Sequence, residues 1–194
     1  MKDMVANNEH LRRLIEGNKR YMASHLEHPD QTSERRFELK HGQHPFAIIL
    51  SCSDSRVPPE VIFDQGLGGL YVVRVAGNVL DQMILASIEY AVLHLNVSLI
   101  MVMGHSQCGA VAATCGQEQL EGHLPSLTFA LNAAFNKAKD QPGNLVENVT
   151  LANVELVVDE LKQTGTHFPE MVKDNRLTIV PAYYHIGTGK VDLL

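Results

Sequence analysis

At 194 residues, 45% of them hydrophobic and 20% charged, the chain is long enough to bury the core of one compact domain. Sixteen basic against 22 acidic residues leave a formal net charge of −6 with no block of Lys and Arg, which argues against a nucleic-acid partner. No apolar run reaches the ~18 residues of a membrane span, and three cysteines are too few for a disulfide framework, so they point to thiol chemistry or metal ligation.

The first 22 residues carry charge where the apolar stretch of a signal peptide would lie, which predicts a cytoplasmic protein. Within them Leu11, Leu14, Ile15 and Tyr21 or Met22 recur at helical spacing, predicting an amphipathic helix over 8–23. The polar stretch that follows reads as a loop leading into a short helix. We therefore expect a single domain over 1–194, with a helical arm over 1–42 and an α/β core over 43–194. FAIILSC at 46–52, LYVVRVAG at 70–77 and LIMVMGH at 99–105 are continuous apolar runs suited to buried parallel strands. DQMILASIEYAVLHL at 81–95 has an acidic start and apolar residues at helical spacing, so it forms the crossover helix of a βαβ unit. AVAAT after GHSQCG heads another helix, and residues 149–165 predict a long helix closed by Gly165. RLTIVPAYYHI at 176–186 reads as a strand that Pro181 demotes toward a sheet edge, and GTGKVDLL as a turn and a short final strand. The expected class is α/β, a mainly parallel central sheet flanked by helices.

Two segments carry chemistry. CSDSR at 52–56 and GHSQCG at 104–109 each follow a predicted strand, and in an open parallel sheet the loops beyond the carboxyl ends are where ligands bind. Together they offer Cys52, His105 and Cys108, borderline-soft donors suited to zinc, with Asp54 as a possible fourth. The helix that starts past Cys108 aims backbone N–H groups near Gly109 at the same place, which suits a small oxyanion. Singly, Cys52 reads as a packed core residue and His105 as a hydrogen-bonded imidazole; the combination carries the specificity. Cys115, in the apolar run AVAATC, reads as a buried small residue. The sharpest rival is a serine hydrolase with Ser106 as nucleophile, followed in order by Asp159 or Asp174 and by His167 or His185. Cys108 stands where that elbow needs glycine, which counts against it. A cysteine-phosphatase loop is excluded, because Cys52 and Arg56 are only four residues apart and no glycine lies between them.

CSDSRVPPE, VVRVAGN, SIEYAV and GHSQCGAV together resemble the β-class carbonic anhydrases, over roughly residues 10 to 193. The resemblance implies one Zn2+ per chain on Cys52, His105 and Cys108, with Asp54 and Arg56 as a dyad beside it. It implies reversible hydration of carbon dioxide to bicarbonate, and a homodimer or dimer of dimers with active sites at the subunit interface. It also points to the plant-like, open-site subgroup: Gln43, nine residues before Cys52, matches the glutamine that hydrogen-bonds bicarbonate, and Ile49 stands where the other subgroup has tryptophan. Tyr71 and Tyr90 fall where that family has aromatic pocket residues, and Gly109 where a backbone N–H meets the bound anion. A relative acting on another small heterocumulene, such as carbon disulfide, is the alternative within the resemblance.

Overall fold

The computed structural model describes residues 2–116 and 120–194. Residue 1 of the expected arm and residues 117–119 of the expected core lie outside that range. Among the described residues five strands, β1 (Ala47–Ser51), β2 (Leu70–Arg74), β3 (Leu99–His105), β4 (Thr178–Tyr184) and β5 (Val191–Leu193), form one sheet in the order β2-β1-β3-β4-β5. The first four run parallel and β5 pairs antiparallel with β4. Every residue of β1 and β3 is buried, the expected signature of strands covered on both faces.

Helices supply those covers. α1 (Lys2–Asn7), α2 (Glu9–Met22), α3 (Ser33–Glu38) and α4 (Pro59–Ile62) precede β2, and α5 (Gln82–His94) crosses over to β3. α6 (Gly109–Gly116), α7 (Pro125–Ala138), α8 (Leu145–Gln163) and α9 (Phe168–Lys173) lie between β3 and β4. On one face Ile48, Leu50, Ile100 and Val102 pack against Ile88 and Val92 of α5 and Val154, Val158 and Leu161 of α8. On the other, Ile49, Met101, Val180 and Tyr184 pack against Leu11 and Leu14 of α2 and Ile62 of α4. The alternation of β1 and β3 residues between the two clusters is the period of two that a pleated strand imposes. Asn8 caps α2 by accepting from the Leu11 N–H at 3.0 Å, and Asp81 caps α5 by accepting from Ile84 N–H at 2.8 Å.

The arm is tied to the core by polar groups as well. Asn18, buried on α2, donates to the Ile62 and Gly189 carbonyls and accepts from Val191 N–H. Asp64, only 2% exposed, takes Arg20 Nε at 2.6 Å and the amides of Glu27 and His28 at 3.0 and 3.1 Å.

Three expectations are corrected. β4 is not an edge strand, since it lies between β3 and β5. Pro181 is tolerated there because its carbonyl faces β5, accepting from Leu194 N–H at 3.1 Å, so its imino nitrogen faces the same side, past the three paired positions of that short strand. The long helix α8 begins at Leu145 rather than 149, because Asn144 caps it by accepting from Glu147 N–H at 3.1 Å. Strand β2 ends at Arg74, where the chain breaks into a tight turn through Gly77, whose φ of 69° lies in the left-handed region.

Candidate metal centre

β1 and β3 are neighbours in register, with Ser51 opposite Met103, so the residues that follow them emerge side by side at the carboxyl edge of the sheet. Cys52 and His105 are therefore brought together by strand pairing, and Cys108 joins them from the turn that opens α6. The two thiols and the imidazole present ligand atoms all within 4.8 Å of one another, and all three residues are buried. Gly104 makes the approach possible: a Cβ there would sit 2.7 Å from Val154 Cγ2 and 2.8 Å from Thr150 Cγ2, so only glycine lets α8 lie against this end of β3.

The donor atoms are prepared for a cation. His105 Nδ1 lies 2.9 Å from the Ser106 carbonyl; a carbonyl only accepts, so Nδ1 carries the proton and Nε2 offers a lone pair. That Nε2 is fully buried with no hydrogen-bond partner, which a bound metal would satisfy. The two thiols act as a pair. Cys52 is pulled well below the ordinary thiol range, chiefly by a hydrogen bond from Cys108, while Cys108 is pushed up by the Cys52 thiolate and by burial. A divalent cation between them relieves that repulsion, and one imidazole with two thiolates is a donor set that zinc accepts.

Beside the triad, Asp54 is held by Arg56 through a two-pronged ion pair, Nε to Oδ1 at 2.9 Å and Nη2 to Oδ2 at 2.7 Å, with Arg56 N–H also on Oδ1 at 2.9 Å. These bonds keep the Asp54 carboxyl far below its usual range. Arg56 Nη2 also reaches the Gln107 carbonyl at 3.3 Å, so the side chain bridges the two ligand-bearing loops. Gln107 adopts φ 56°, the left-handed conformation.

The comparisons agree with this geometry. The model of the carbonic anhydrase family matches residues 47–191. A carbonic anhydrase of Mycolicibacterium smegmatis is 38% identical over 185 residues, covering 93% of this chain and 89% of its own. The chain belongs to the β-carbonic anhydrase family. Carbonic anhydrase 2 of Mycobacterium tuberculosis is likewise 38% identical, over 194 residues, with 93% of this chain and 89% of that one covered. Among solved structures, the β-carbonic anhydrase CafA of Aspergillus fumigatus superposes with a TM-score of 0.75 at 31% identity, covering 83% of this chain and 80% of that one. A tetrameric β-carbonic anhydrase of Sordaria macrospora gives 0.75 at 28%, covering 92% and 90%.

Within this β-carbonic anhydrase, the predicted site residues separate into two groups. Cys52, Asp54, Arg56, His105 and Cys108 come together as described, and Gly109 opens α6 beside them with empty space where a side chain would stand. Gln43 instead lines a cavity of ≈ 670 Å³ with Arg36, Leu39, Lys40, His41 and Leu67, which none of the three donors lines. Tyr71 and Tyr90 face each other with ring centroids 6.5 Å apart, across β2 and α5. Cys115 is half-buried rather than buried, packed against the cluster around Cys52 and Cys108 and outside the donor set.

The hydrolase arrangement does not assemble. Ser106 Oγ accepts from Ile186 N–H at 3.0 Å, and His185 Nε2 is engaged by Asp192 at 3.0 Å. Sequence reasoning missed the residues that brace the loops. Arg74 donates to the Cys52 carbonyl at 3.0 Å and to the Asp54 carbonyl at 2.6 Å, fixing the CSDSR backbone from β2. Gly77 N–H lies 3.3 Å from Cys52 Sγ, and Asn153 Nδ2 holds the Gly77 carbonyl at 3.0 Å. The available signals were a lone arginine inside an apolar strand and an asparagine on the buried face of α8.

Proposed function

We propose that this chain catalyses the reversible hydration of carbon dioxide to bicarbonate and a proton, with one Zn2+ held by Cys52 Sγ, His105 Nε2 and Cys108 Sγ. The observation that carries the reading is a buried, three-donor cluster with an orphaned imidazole nitrogen, beside a carboxylate that Arg56 holds. Bound there, zinc acts as a Lewis acid that makes a water nucleophilic near neutral pH.

The chain's own groups do the rest. Arg56 keeps Asp54 ionised and occupied, so the carboxylate stays an acceptor for the attacking water rather than a fourth metal ligand; this supports assignment to the open-site subgroup. Asp54 orients that water by accepting its proton in a hydrogen bond. The Gly109 N–H, at the first turn of the eight-residue α6, receives the oxygen that becomes anionic. Gly77 N–H on Cys52 Sγ and Arg74 on the Cys52 and Asp54 carbonyls hold this loop in place, so the thiolate does not follow the substrate.

Gln43 lines a cavity that the triad does not, and Tyr71, against which Tyr90 lies, stands opposite Ile48, well before Cys52 along β1; we assign all three to the active site of a second copy in a homodimer or a dimer of dimers. The edge strand β2 supports this: it is mostly half-buried where β1 is wholly buried, and Leu67, Phe37 and Tyr90 nearby are 41%, 67% and 47% exposed. The tetrameric Sordaria protein supports assembly of the same kind.

The test is stopped-flow carbon dioxide hydration on protein whose zinc content has been assayed. Hydration should scale with zinc, up to one metal per chain. Stoichiometric zinc without hydration across a broad pH range would refute the reading, and turnover of carbon disulfide in its place would assign the relative that acts on another heterocumulene.

A further inference from the structure

We propose that Ser106 is a positioning residue that aims the His105 imidazole at the metal, by taking over a sheet hydrogen bond that its own carbonyl would otherwise make. The inference rests on the metal site assigned above. β3 and β4 pair in parallel up to His105 opposite Tyr184. One step further the ladder still runs, since Ser106 N–H donates to the Tyr184 carbonyl at 2.9 Å. In a regular parallel ladder, a residue whose N–H bonds the carbonyl of one neighbour accepts, on its own carbonyl, the N–H two residues further along that strand. Here that N–H belongs to Ile186, and it goes instead to Ser106 Oγ at 3.0 Å. The Ser106 carbonyl is thereby free to receive His105 Nδ1–H at 2.9 Å.

One residue thus uses its amide, its hydroxyl and its carbonyl for three different partners. The amide and hydroxyl fix it to the end of β4, and the carbonyl sets both tautomer and ring direction of a metal ligand. Gln107, in the left-handed conformation, then turns the chain so that Cys108 returns to the same metal. Without the hydroxyl, Ile186 N–H has the Ser106 carbonyl as its nearest ladder partner and competes with His105 for it.

The experiment compares Ser106→Thr with Ser106→Val, which have the same shape and differ only in the hydroxyl. Ser106 borders a cavity of ≈ 420 Å³, so the added methyl groups have room. Ser106→Ala serves as the small control. The readouts are the rate of zinc release to a chelator, the visible absorption bands of the cobalt(II)-loaded protein, and the melting temperature of metal-free protein. We expect Ser106→Thr to keep wild-type release and spectrum, and Ser106→Val and Ser106→Ala to release metal ~10–100-fold faster with shifted cobalt bands. Metal-free Ser106→Val should melt a few degrees below Ser106→Thr, by the one hydrogen bond it loses, with both variants still folded. Equal behaviour of Thr and Val in release and spectrum overturns the proposal. So does folding of Thr alone among the three, which makes the hydroxyl a requirement of the fold rather than of the metal site. Wild-type protein that binds no metal would instead refute the assigned function, and this inference with it.

Discussion

Asn153→Ala tests whether the metal site is held from behind by α8. Asn153 is 4% exposed, and its Nδ2 donates to the Gly77 carbonyl at 3.0 Å; the same glycine directs its N–H at Cys52 Sγ at 3.3 Å. Truncation leaves the Gly77 carbonyl without a partner in the protein interior. An orphaned buried acceptor costs about 1–3 kcal/mol, so ~2 kcal/mol is the central expectation. For a chain of this size each kcal/mol lowers the melting temperature by ~2–4 °C, which gives a fall of about 4–8 °C. The measurement is thermal melting of metal-free wild-type and variant protein, which separates the peptide's own contribution from that of bound metal. Zinc release to a chelator is measured next, and should quicken by ~10-fold because the thiolate loses a fixed donor. A metal-free variant melting within about 1 °C of wild type would refute the reasoning, since the acceptor would then have found another partner. A lower melting temperature with unchanged zinc release would show that the left-handed Gly77 turn holds its N–H on Cys52 without help from Asn153.

Three further outcomes are expected. Arg56→Ala removes both prongs of the ion pair and leaves Asp54 one backbone donor, so hydration should fall ~10–100-fold at full zinc content, with Arg56→Lys only partly restoring it because an ammonium lacks the fork; stopped-flow rates beside elemental analysis decide, and wild-type activity in Arg56→Ala would contradict the role given to Asp54. Cys52→Ala or Cys108→Ala should lose most bound zinc, because three donors leave no spare, and unchanged zinc by elemental analysis would count against the donor set. Burial works to raise the Asp64 pKa, but Arg20 and the amides of Glu27 and His28 outweigh it and hold it below the ordinary value of 3.8. A lowered folded pKa stabilises above the ordinary value and is lost as pH falls through the folded one, so Asp64→Asn should cost about 2–3 kcal/mol at neutral pH. That gap should close below about pH 4, and a gap in urea melts that stays constant into acid would refute the ion-pair account.

What could be read beforehand follows from which forces act locally. The strands at 47–51 and 99–105 were legible because burial on both faces leaves an unbroken apolar run. Helix α5 was legible because Asp81 marks its start. The clustering of Cys52, His105 and Cys108 was legible because these are residue types able to hold a metal, placed at or just past the ends of neighbouring strands. Helix α7 escaped because PSLTFALNAAFNKA has no side-chain cap and too many small residues for a clear stripe; its burial of Leu131, Ala134 and Ala138 is set by α6 and α8. The position of Pro181 was misread because propensity speaks of a lost donor but not of which side of the strand it faces. Arg74, Asn153 and Ser106 were invisible as bracing residues, since each acts on a backbone group far away in sequence or through a backbone rearrangement that only the pairing of β3 with β4 defines.

The same pairing explains why the site tolerates such different contributors. Four adjacent parallel strands end at one edge, and each delivers something there: β2 brings Arg74, β1 leads into Cys52 and Asp54, β3 ends in His105, and β4 supplies the Tyr184 carbonyl and leads into the Ile186 amide, which together anchor Ser106. Because side chains alternate along a strand, a slip of one residue between β1 and β3 would send one ligand to the opposite face of the sheet. Register is fixed by the two apolar faces, where Ile48, Leu50, Ile100 and Val102 must all meet α5 and α8, and Ile49 and Met101 must meet α2 and α4. The placement of Cys52, His105 and Cys108 is therefore a consequence of core packing far more than of the loops that carry them. Arg56 then adds what packing cannot: bound to Asp54 from one loop and to the Gln107 carbonyl of the other, it couples the carboxylate to the turn between His105 and Cys108, so that displacement of either loop disturbs the position of that carboxylate.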